Sequence, residues 1–494
     1  MERSSGILMH LSSLPSPYGI GTLGKAAYEF ADFLCEAKQR YWQMLPVGHT
    51  GYGDSPYQSF SMYAGNPYFI DLGLLIAEGL LTKEEVAACA WGEDADRVDY
   101  GAIYAQRYPL LYRAYTRGFS ALRPEIAAFC KENAGWLPDY ALFMALKEHF
   151  SMRPWIEWEQ DIRQRRPEAL AHYNRLLQDK VDFYTFVQYL FFRQWEQFRS
   201  YVREKGIRLI GDLPIYAAYD SAEVWSRPEC FLLDQEGNPI EVAGVPPDFF
   251  SSFGQLWGNP LYNWAAMERC GYALWMDRIE MAARLFDVIR IDHFRGLASY
   301  YSVPYGHSTA EHGHWNAGPG SRLIDAMQQR FSSLSIIAED LGYLTPEVMA
   351  LLAHSGYPGM KVLQFAFDER EPGNYLPHTY PNHCVCYLGT HDNATLSGWL
   401  TEITRSEYAH AKAYLGLNAE EGEIWGFIRG GMGSVADLFV AQMQDYLELP
   451  PCCRMNTPGI VNGNWQWRMK PGICTPALSE KLAALTRRYG RCGG

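Results

Sequence analysis

Short apolar runs separated by amphipathic stretches recur along the whole chain. The runs are rich in β-branched and aromatic residues and end in Gly, Pro or a charge, which is typical of buried parallel strands. They lie near residues 7, 42, 208, 288, 336, 361, 385 and 452. Eight such strands with helical patterns between them predict an α/β fold, a parallel (β/α)₈ TIM barrel spanning residues 1–494 as one domain.

Two stretches are too long to be simple barrel crossovers. Residues from about 50 to 205, after strand 2, show helical periodicity and predict an inserted, mostly helical subdomain. A second insertion, about 215–285, follows strand 3 and is rich in Gly, Pro and aromatic residues. Its centre, 244–260, has no period but carries Phe249, Phe250, Phe253 and Trp257, which predicts an ordered lid loop.

A glycine-rich stretch, 19–25, matches a dinucleotide-binding pattern and most of a phosphate-loop pattern. Two prolines separate it from the preceding strand, the next strand ends without an acid, and Ala26 stands where a phosphate loop needs a hydroxyl. These departures favour an ordinary loop-to-helix turn over nucleotide binding.

Composition narrows the partners and the compartment. The net charge of −13 argues against nucleic acid and anionic membrane surfaces, which call for clustered Lys and Arg. Most of the abundant aromatics are expected in the core, and those in Gly- and Pro-rich loops suggest stacking surfaces for sugar rings. The 11 Cys residues show no C-x-x-C pair and predict reduced thiols. With no visible signal peptide or membrane span, the sequence predicts a soluble, cytoplasmic protein.

Acidic residues stand at the ends of three predicted strands. Arg290 and Asp292 are two residues apart and share a face, so the cation should keep the carboxylate ionised. Glu339 ends an apolar run that should raise its pKa, and strand 7 runs into His391-Asp392. Any one acid alone fits a helix N-cap or a loop salt bridge. Because the carboxyl ends of barrel strands meet at one mouth, their joint placement favours a shared site.

These acids suit cleavage of a glycosidic bond with retention. One ionised carboxylate attacks the anomeric carbon while a protonated one donates to the leaving oxygen, which assigns Asp292 and Glu339. Asp392 and His391 would hold sugar hydroxyls and stabilise the oxocarbenium-like charge. A cation site is the alternative, but calcium-loop spacing is missing and Arg290 adds positive charge. His307, His312 and His314 lack zinc-site spacing, so neither a metal nor a cofactor is expected.

Longer motifs resemble one family. They are GDSPYQSFS at 53–61, GDLPIY at 211–216, GVPPDFF through GQLWGNPLY at 244–262, IRIDHFRG at 289–296, AEDLG at 338–342, YLGTHDN at 387–393 and RMNTPG at 454–459. By these motifs the chain resembles the amylomaltases, the 4-α-glucanotransferases or disproportionating enzymes of glycoside hydrolase family 77 in the α-amylase clan.

The resemblance implies a reaction and a set of residues. The implied enzyme transfers α-1,4-glucan segments from α-1,4-glucans and maltooligosaccharides to glucose or maltooligosaccharide acceptors through a covalent glycosyl-enzyme. Asp292 is then the nucleophile, Glu339 the acid/base and Asp392 the transition-state stabiliser, with 244–260 as the lid. The implied glucan subsites are lined by Ser55, Tyr57, Asp212, Gln255, Trp257, Arg290, His293, His391 and Asn464.

Two other functions remain as alternatives. An α-1,4-glucan hydrolase of the amylase type would carry Asp-x-x-x-Asn-His on strand 3, whereas this strand reads Gly211-Asp212-Leu213-Pro214. A non-catalytic glucan-binding barrel would be signalled by loss of one of the three acids, and all three are present. The transferase is therefore the predicted function.

Overall fold

A computed structural model describes residues 2–51, 53–247, 252–342, 344–369, 375–460 and 462–493. Its barrel strands are β1 Ser4–Leu8, β2 Tyr41–Gln43, β3 Arg208–Leu213, β6 Val288–Ile291, β9 Ser335–Ala338, β10 Gly359–Val362, β11 Cys384–Tyr387 and β12 Leu438–Gln442. Four further strands form a second sheet: β4 Glu241–Val245, β5 Gln255–Pro260, β7 Ser299–Pro304 and β8 His314–Ala317.

Helices surround and connect the strands, and each of the longer ones lays an apolar side on the sheet or on its neighbours. They are α1 Lys25–Glu36, α2 Leu72–Ala77, α3 Lys83–Ala87, α4 Tyr100–Gly118, α5 Arg123–Glu132, α6 Leu137–His149, α7 Gln160–Arg163, α8 Pro167–Leu176, α9 Gln178–Glu204, α10 Ala222–Ser226, α11 Trp264–Arg269, α12 Ala273–Leu285, α13 Ser321–Arg330, α14 Pro346–Ser355, α15 Leu396–Glu402, α16 Arg405–Leu415, α17 Glu423–Gly433, α18 Met443–Tyr446 and α19 Pro476–Arg488. In the parts of the chain that the structure describes, none of them is both long and apolar enough to cross a membrane.

The barrel strands are all parallel, in the order β1-β2-β3-β6-β9-β10-β11-β12. The Ala338 amide donates to the Pro358 carbonyl at 3.0 Å, which joins β9 to the start of β10 and closes the ring. Alternate residues such as Ile210, Val288 and Ile337 fill the barrel interior, because side chains along a strand alternate between its faces. The predicted (β/α)₈ barrel is confirmed.

The eighth strand was predicted at the wrong place. It is β12, Leu438–Gln442, whereas the predicted segment at 452–455 begins in a 3₁₀ turn, Pro451–Cys453. The true strand is a short apolar run that follows α17 without Pro or Gly in the run itself. Periodicity alone does not separate such a run from a buried helical segment.

The two predicted insertions contain different kinds of structure. Helices α2 to α9 lie between β2 and β3, and strands β4 and β5 follow β3. The prediction of an irregular loop at 244–260 is wrong at both of its ends, because β4 and β5 pair antiparallel there, with 248–251 outside the described residues. A bulge between Val242 and Gly244 breaks the alternation that would have revealed a strand in the sequence.

The second sheet also draws on a segment that was not predicted to join it. Its order is β5-β4-β7-β8, and β7 and β8 come after barrel strand β6 rather than after β3. The sheet therefore joins two neighbouring strand-end connections at the carboxyl side of the barrel.

Candidate active site

Strand register brings the predicted acids together. Asp212 on β3 pairs with Arg290 on β6, and Ile291 on β6 pairs with Ala338 on β9. Asp292 and Glu339 each follow one of this second pair, and the Glu339 amide donates to the Ile291 carbonyl at 3.0 Å. The two acids therefore leave neighbouring strands at the same level, with the parity that points into the barrel mouth.

A buried guanidinium links two of the acids. Arg290 Nη1 donates to both oxygens of Asp212 at 2.6 Å and to Asp292 Oδ1 at 3.1 Å, while its Nε lies 3.3 Å from the sulfur of Met360. Burial acts against the charged form, but Asp212 and Asp292 hold the pKa of Arg290 well above its ordinary value. Arg290 is therefore a fixed cation at the floor of the mouth.

The pKa of Asp292 depends on more than the Arg290 charge from which its state was predicted. Burial raises the pKa of Asp292 well above its ordinary value, Arg290 lowers it, and the charges of Asp212 and Glu339 raise it further. Arg290 therefore acts in the predicted direction, but burial and the neighbouring acids, which the prediction left out, outweigh it.

Glu339 is held by backbone donors. The amide of His293 donates to Oε2 at 2.7 Å and the amide of Leu341 donates to Oε1 at 2.9 Å. His293 has a left-handed backbone, with φ 51°, at the point where the chain turns from β6 into the 3₁₀ helix Phe294–Leu297. Burial raises the pKa of Glu339 in spite of these donors and of Arg290, which agrees with the prediction made from its apolar run.

Asp392 lies across the mouth on the connection that follows β11. Its Oδ1 accepts from Asn456 Nδ2 at 2.6 Å and lies 3.4 Å from His391 Nε2. The backbone carbonyl of Asp392 accepts from Arg454. Sequence reasoning missed Asn456 and Arg454 as site residues, although both belong to the RMNTPG motif.

Tyr57 and His391 form a stacked pair beside these acids. Their rings lie 5.3 Å apart at 16°, and Trp465, which was not predicted, tilts against both. The Tyr57 hydroxyl donates to Asp212 Oδ2 at 2.7 Å and lies 2.9 Å from His391 Nε2. Because that hydroxyl has a single proton, His391 Nε2 is the donor to the Tyr57 oxygen. Burial lowers the pKa of His391, which favours the neutral ring.

The second sheet carries a further predicted group to the same acids. Trp257 on β5 contacts the His293 ring edge-on, with centroids 4.9 Å apart at 90°, and its Nε1 donates to Gln255 Oε1 at 3.2 Å. The His293 amide also bonds Glu339, so His293 contacts both the indole of Trp257 and the proposed acid.

Two predicted residues serve their own loops. Ser55 Oγ accepts from the Tyr57 amide at 3.3 Å and so braces the turn that presents Tyr57. Asn464 Oδ1 accepts from the Thr457 amide at 2.9 Å, and its Nδ2 donates to the Ile460 carbonyl at 2.7 Å. The Asn464 amide thus shapes the loop that carries Trp465.

Comparison with known proteins places this geometry in one family. The sequence profile of the 4-alpha-glucanotransferase family matches residues 9–475. The 4-alpha-glucanotransferase of Clostridium butyricum is 47% identical over 487 residues, covering 98% of this chain and 100% of that protein. That of Thermus thermophilus is 48% identical over 503 residues, covering 99% of each. The solved structure of amylomaltase from Streptococcus agalactiae in complex with acarbose superposes with a TM-score of 0.97 at 40% identity over 100% of both chains.

Proposed function

The chain belongs to the 4-alpha-glucanotransferase family, glycoside hydrolase family 77, and from that membership we propose which residues carry out its reaction. The enzyme transfers α-1,4-glucan segments between α-glucans and maltooligosaccharides. The proposed route is a retaining double displacement. The observation that carries the proposal is the pair Asp292 and Glu339, which leave adjacent strands at the same level.

In the first step Asp292 attacks the anomeric carbon and Glu339 gives its proton to the glycosidic oxygen. The C–O bond to the leaving glucan breaks, that glucan departs with a free 4-hydroxyl, and an ester joins the donor to Asp292. In the second step Glu339, now ionised, takes the proton of the acceptor 4-hydroxyl. The acceptor oxygen bonds the anomeric carbon, and Asp292 leaves as the carboxylate.

The starting protonation state follows from the charges around the pair. The pKa values of both Asp292 and Glu339 are raised, with burial the largest cause, and the charge of Glu339 raises the pKa of Asp292 further. A single proton shared by the pair belongs on Glu339, because Arg290 Nη1 lies 3.1 Å from Asp292 and favours the negative charge there. The site thus starts with an ionised nucleophile and a protonated acid.

The remaining site residues are proposed to bind and orient the glucan. Asp392 would face the developing positive charge, and the Tyr57–His391 stack would offer a flat surface to the sugar bound next to it. Asp212 would set the position of Arg290. On the other side of the acids, Gln255, Trp257 and His293 would receive the acceptor. Ser55 and Asn464 would shape the loops that carry Tyr57 and Trp465.

Transfer requires that an acceptor sugar compete with water. Water at about 55 M against a millimolar acceptor calls for a preference of roughly 10⁴, or about 6 kcal/mol in barrier height. We propose that the β4–β5 hairpin acts as the lid, with Trp257 stacking the acceptor and excluding water above Glu339. If the lid did not exclude water, the enzyme would act as a hydrolase, which is the alternative function.

A cytoplasmic location is proposed from the thiols. All 11 Cys residues are free, and several are exposed or half-buried, such as Cys270, Cys452 and Cys453. Free surface thiols persist in a reducing compartment. Labelling the Cys residues in intact cells before and after reduction would check this, and a disulfide found in the freshly extracted protein would contradict it.

Incubation with maltotriose tests the reaction. Transfer yields longer maltooligosaccharides and glucose with a constant number of reducing ends, because each bond broken is matched by one formed. A net rise in reducing ends would indicate a hydrolase, and an unchanged substrate would indicate a binding protein. Asp292→Asn should abolish both transfer and hydrolysis. Asp325→Asn, at an acid with a 59% exposed side chain bonded to His354, is the matched control and should keep full activity.

A further inference from the structure

The loop that carries Arg454 and Asn456, after the last barrel strand, forms hydrogen bonds with both the side chain and the backbone of Asp392. Asn456 Nδ2 donates to Asp392 Oδ1 at 2.6 Å, and the Asn456 amide N–H donates to the His391 carbonyl at 3.2 Å. Arg454 donates to the carbonyl of Asp392 and, through Nε, to the carbonyl of Asn456 at 2.7 Å. The side chain and the backbone of Asp392 are thus both tied to one short segment.

That segment is itself closed and anchored. The Trp465 amide donates to the Met455 carbonyl at 2.7 Å, and the Tyr100 hydroxyl donates to the Trp465 carbonyl at 2.8 Å. Met455 is buried in the apolar cluster inside the barrel. Asn464 holds the two arms of the loop together through Thr457 and Ile460. The Asn456 amide therefore has a fixed position, and its hydrogen bond restrains the carboxylate that it meets.

The two oxygens of Asp392 are not equivalent. Oδ1 accepts from Asn456 and is 3.4 Å from His391 Nε2, whereas no hydrogen bond to Oδ2 is found in the described residues. The side chain is 44% exposed, so it is not sealed by protein on every side. One oxygen is held and the other is presented to the cleft.

We propose that Asn456 is a positioning residue for the glucanotransfer reaction, which fixes Asp392 through Oδ1 and leaves Oδ2 to meet the sugar. This inference rests on the role proposed for Asp392. The chemistry requires an amide at position 456: a neutral donor satisfies Oδ1 without adding a charge, whereas a carboxylate at 2.6 Å would force the two groups to share a proton. In the described residues the Asn456 side chain bonds Asp392, and its proposed effect on the reaction is through that carboxylate.

Asn456→Asp tests the idea with a nearly isosteric change. At low pH the pair holds one proton, the new acid donates to Oδ1, and activity relative to wild type should be largely retained. As the pH rises and the pair loses its shared proton, both groups ionise and repel each other. The ratio of variant kcat to wild-type kcat should then fall by up to about tenfold per pH unit. Asn456→Ala removes the donor at every pH and should lower kcat about 10- to 100-fold with little change in KM.

Asn464→Ala is the matched control in the same loop. In the described residues the Asn464 side chain bonds Thr457 and Ile460, and alanine adds no titratable group, so any loss of activity should leave the ratio to wild type independent of pH. A pH-independent ratio for Asn456→Asp, with a melting temperature close to wild type, would overturn the positioning role. Circular dichroism across the same pH range identifies loss from unfolding.

A double-substitution cycle separates this inference from the proposed function. If Asn456 acts through Asp392, Asn456→Ala should cost nothing further in residual kcat on an Asp392→Ala background. Full activity of Asp392→Ala would refute the role of Asp392 itself. A strongly reduced but measurable kcat of Asp392→Ala, together with equal losses from Asn456→Ala on both backgrounds, would refute only the role of Asn456.

Discussion

The shared guanidinium of Arg290 makes a prediction about Asp212→Asn. The Asp212 side chain is fully buried and accepts two hydrogen bonds from Arg290 at 2.6 Å. Most of the electrostatic attraction of the Arg290 guanidinium therefore acts on Asp212. The amide keeps the shape of the side chain and removes its charge. Arg290 is then left with Asp292 as its nearest carboxylate, and one of the charges that raise the pKa of Asp292 is gone. We therefore expect the pKa of Asp292 to fall.

The size of the shift follows from the geometry. Both carboxylates approach the same Nη1, at 2.6 and 3.1 Å, so their nearest oxygens are at most about 6 Å apart. At an effective dielectric constant of about 20 this repulsion is about 3 kcal/mol, or about two pKa units before screening by water in the cleft. A shift of about one to two pH units is expected. Since the nucleophile must be ionised, the acid limb of kcat/KM should move to lower pH by this amount.

The assay is the pH dependence of kcat/KM for maltotriose disproportionation, read from glucose release. Absolute activity should drop as well, because Asp212 also fixes Tyr57 and Arg290, but the position of the limb does not depend on that drop. Breaking a buried pair should also lower the free energy of unfolding by about 3 kcal/mol. Asp445→Asn is the control: this buried acid bonds the Leu396 amide, and its loss should change stability without moving the limb. A limb that stays in place or moves to higher pH in Asp212→Asn would refute the electrostatic reasoning.

Three smaller changes test other parts of the site and barrel. Tyr57→Phe keeps the ring stack but removes the hydroxyl between Asp212 and His391. Because a buried partner is then left unsatisfied at a cost of about 1–3 kcal/mol, kcat/KM should fall by about tenfold. Unchanged kinetics would contradict this hydrogen-bond network. Trp257→Ala should raise the ratio of reducing ends formed to glucose released, because water gains access above Glu339, while Trp257→Phe should restore transfer; a constant ratio would exclude this side chain from the lid. Gly211→Ala places a Cβ 2.0 Å from the Phe286 ring and should lower the free energy of unfolding by about 1–3 kcal/mol. Gly135→Ala meets no atom of the described residues within 4 Å and should be close to neutral in denaturant titration.

The parts of the fold that could be predicted are those set by local pattern. In strands such as β6, the alternation that places Val288 and Arg290 inward indicates both that a strand is present and which face its polar residues occupy. The eighth strand and the β4–β5 hairpin could not be placed, because Leu438–Gln442 is too short to show a period and a bulge at Val242 interrupts the other. In these segments pairing with neighbours, not local alternation, determines the strand.

The same limit applies to the site. The acids at strand ends were found from the sequence, since Asp292 and Glu339 are defined by where a strand stops. The sharing of Arg290 between Asp212 and Asp292 depends on the register of β3 against β6, which leaves no mark in either strand alone. The contact of Asn456 with Asp392 joins loops 64 positions apart. Sequence pattern therefore located the chemistry but left out the burial and the neighbouring charges that raise the pKa of the nucleophile.

The raised pKa of Asp292 bears on how the reaction is accelerated. Asp212 and Asp292 share the guanidinium of Arg290, so these three groups carry one excess negative charge even with a proton on Glu339. The repulsion from neighbouring acids that helps to raise the pKa of Asp292 is the same force that favours a positive charge placed among these groups. An oxocarbenium-like sugar is such a charge, and it develops as the proton of Glu339 leaves with the departing glucan. The site is therefore least well balanced before the reaction and best balanced at the transition state, which is the difference in binding that lowers a barrier.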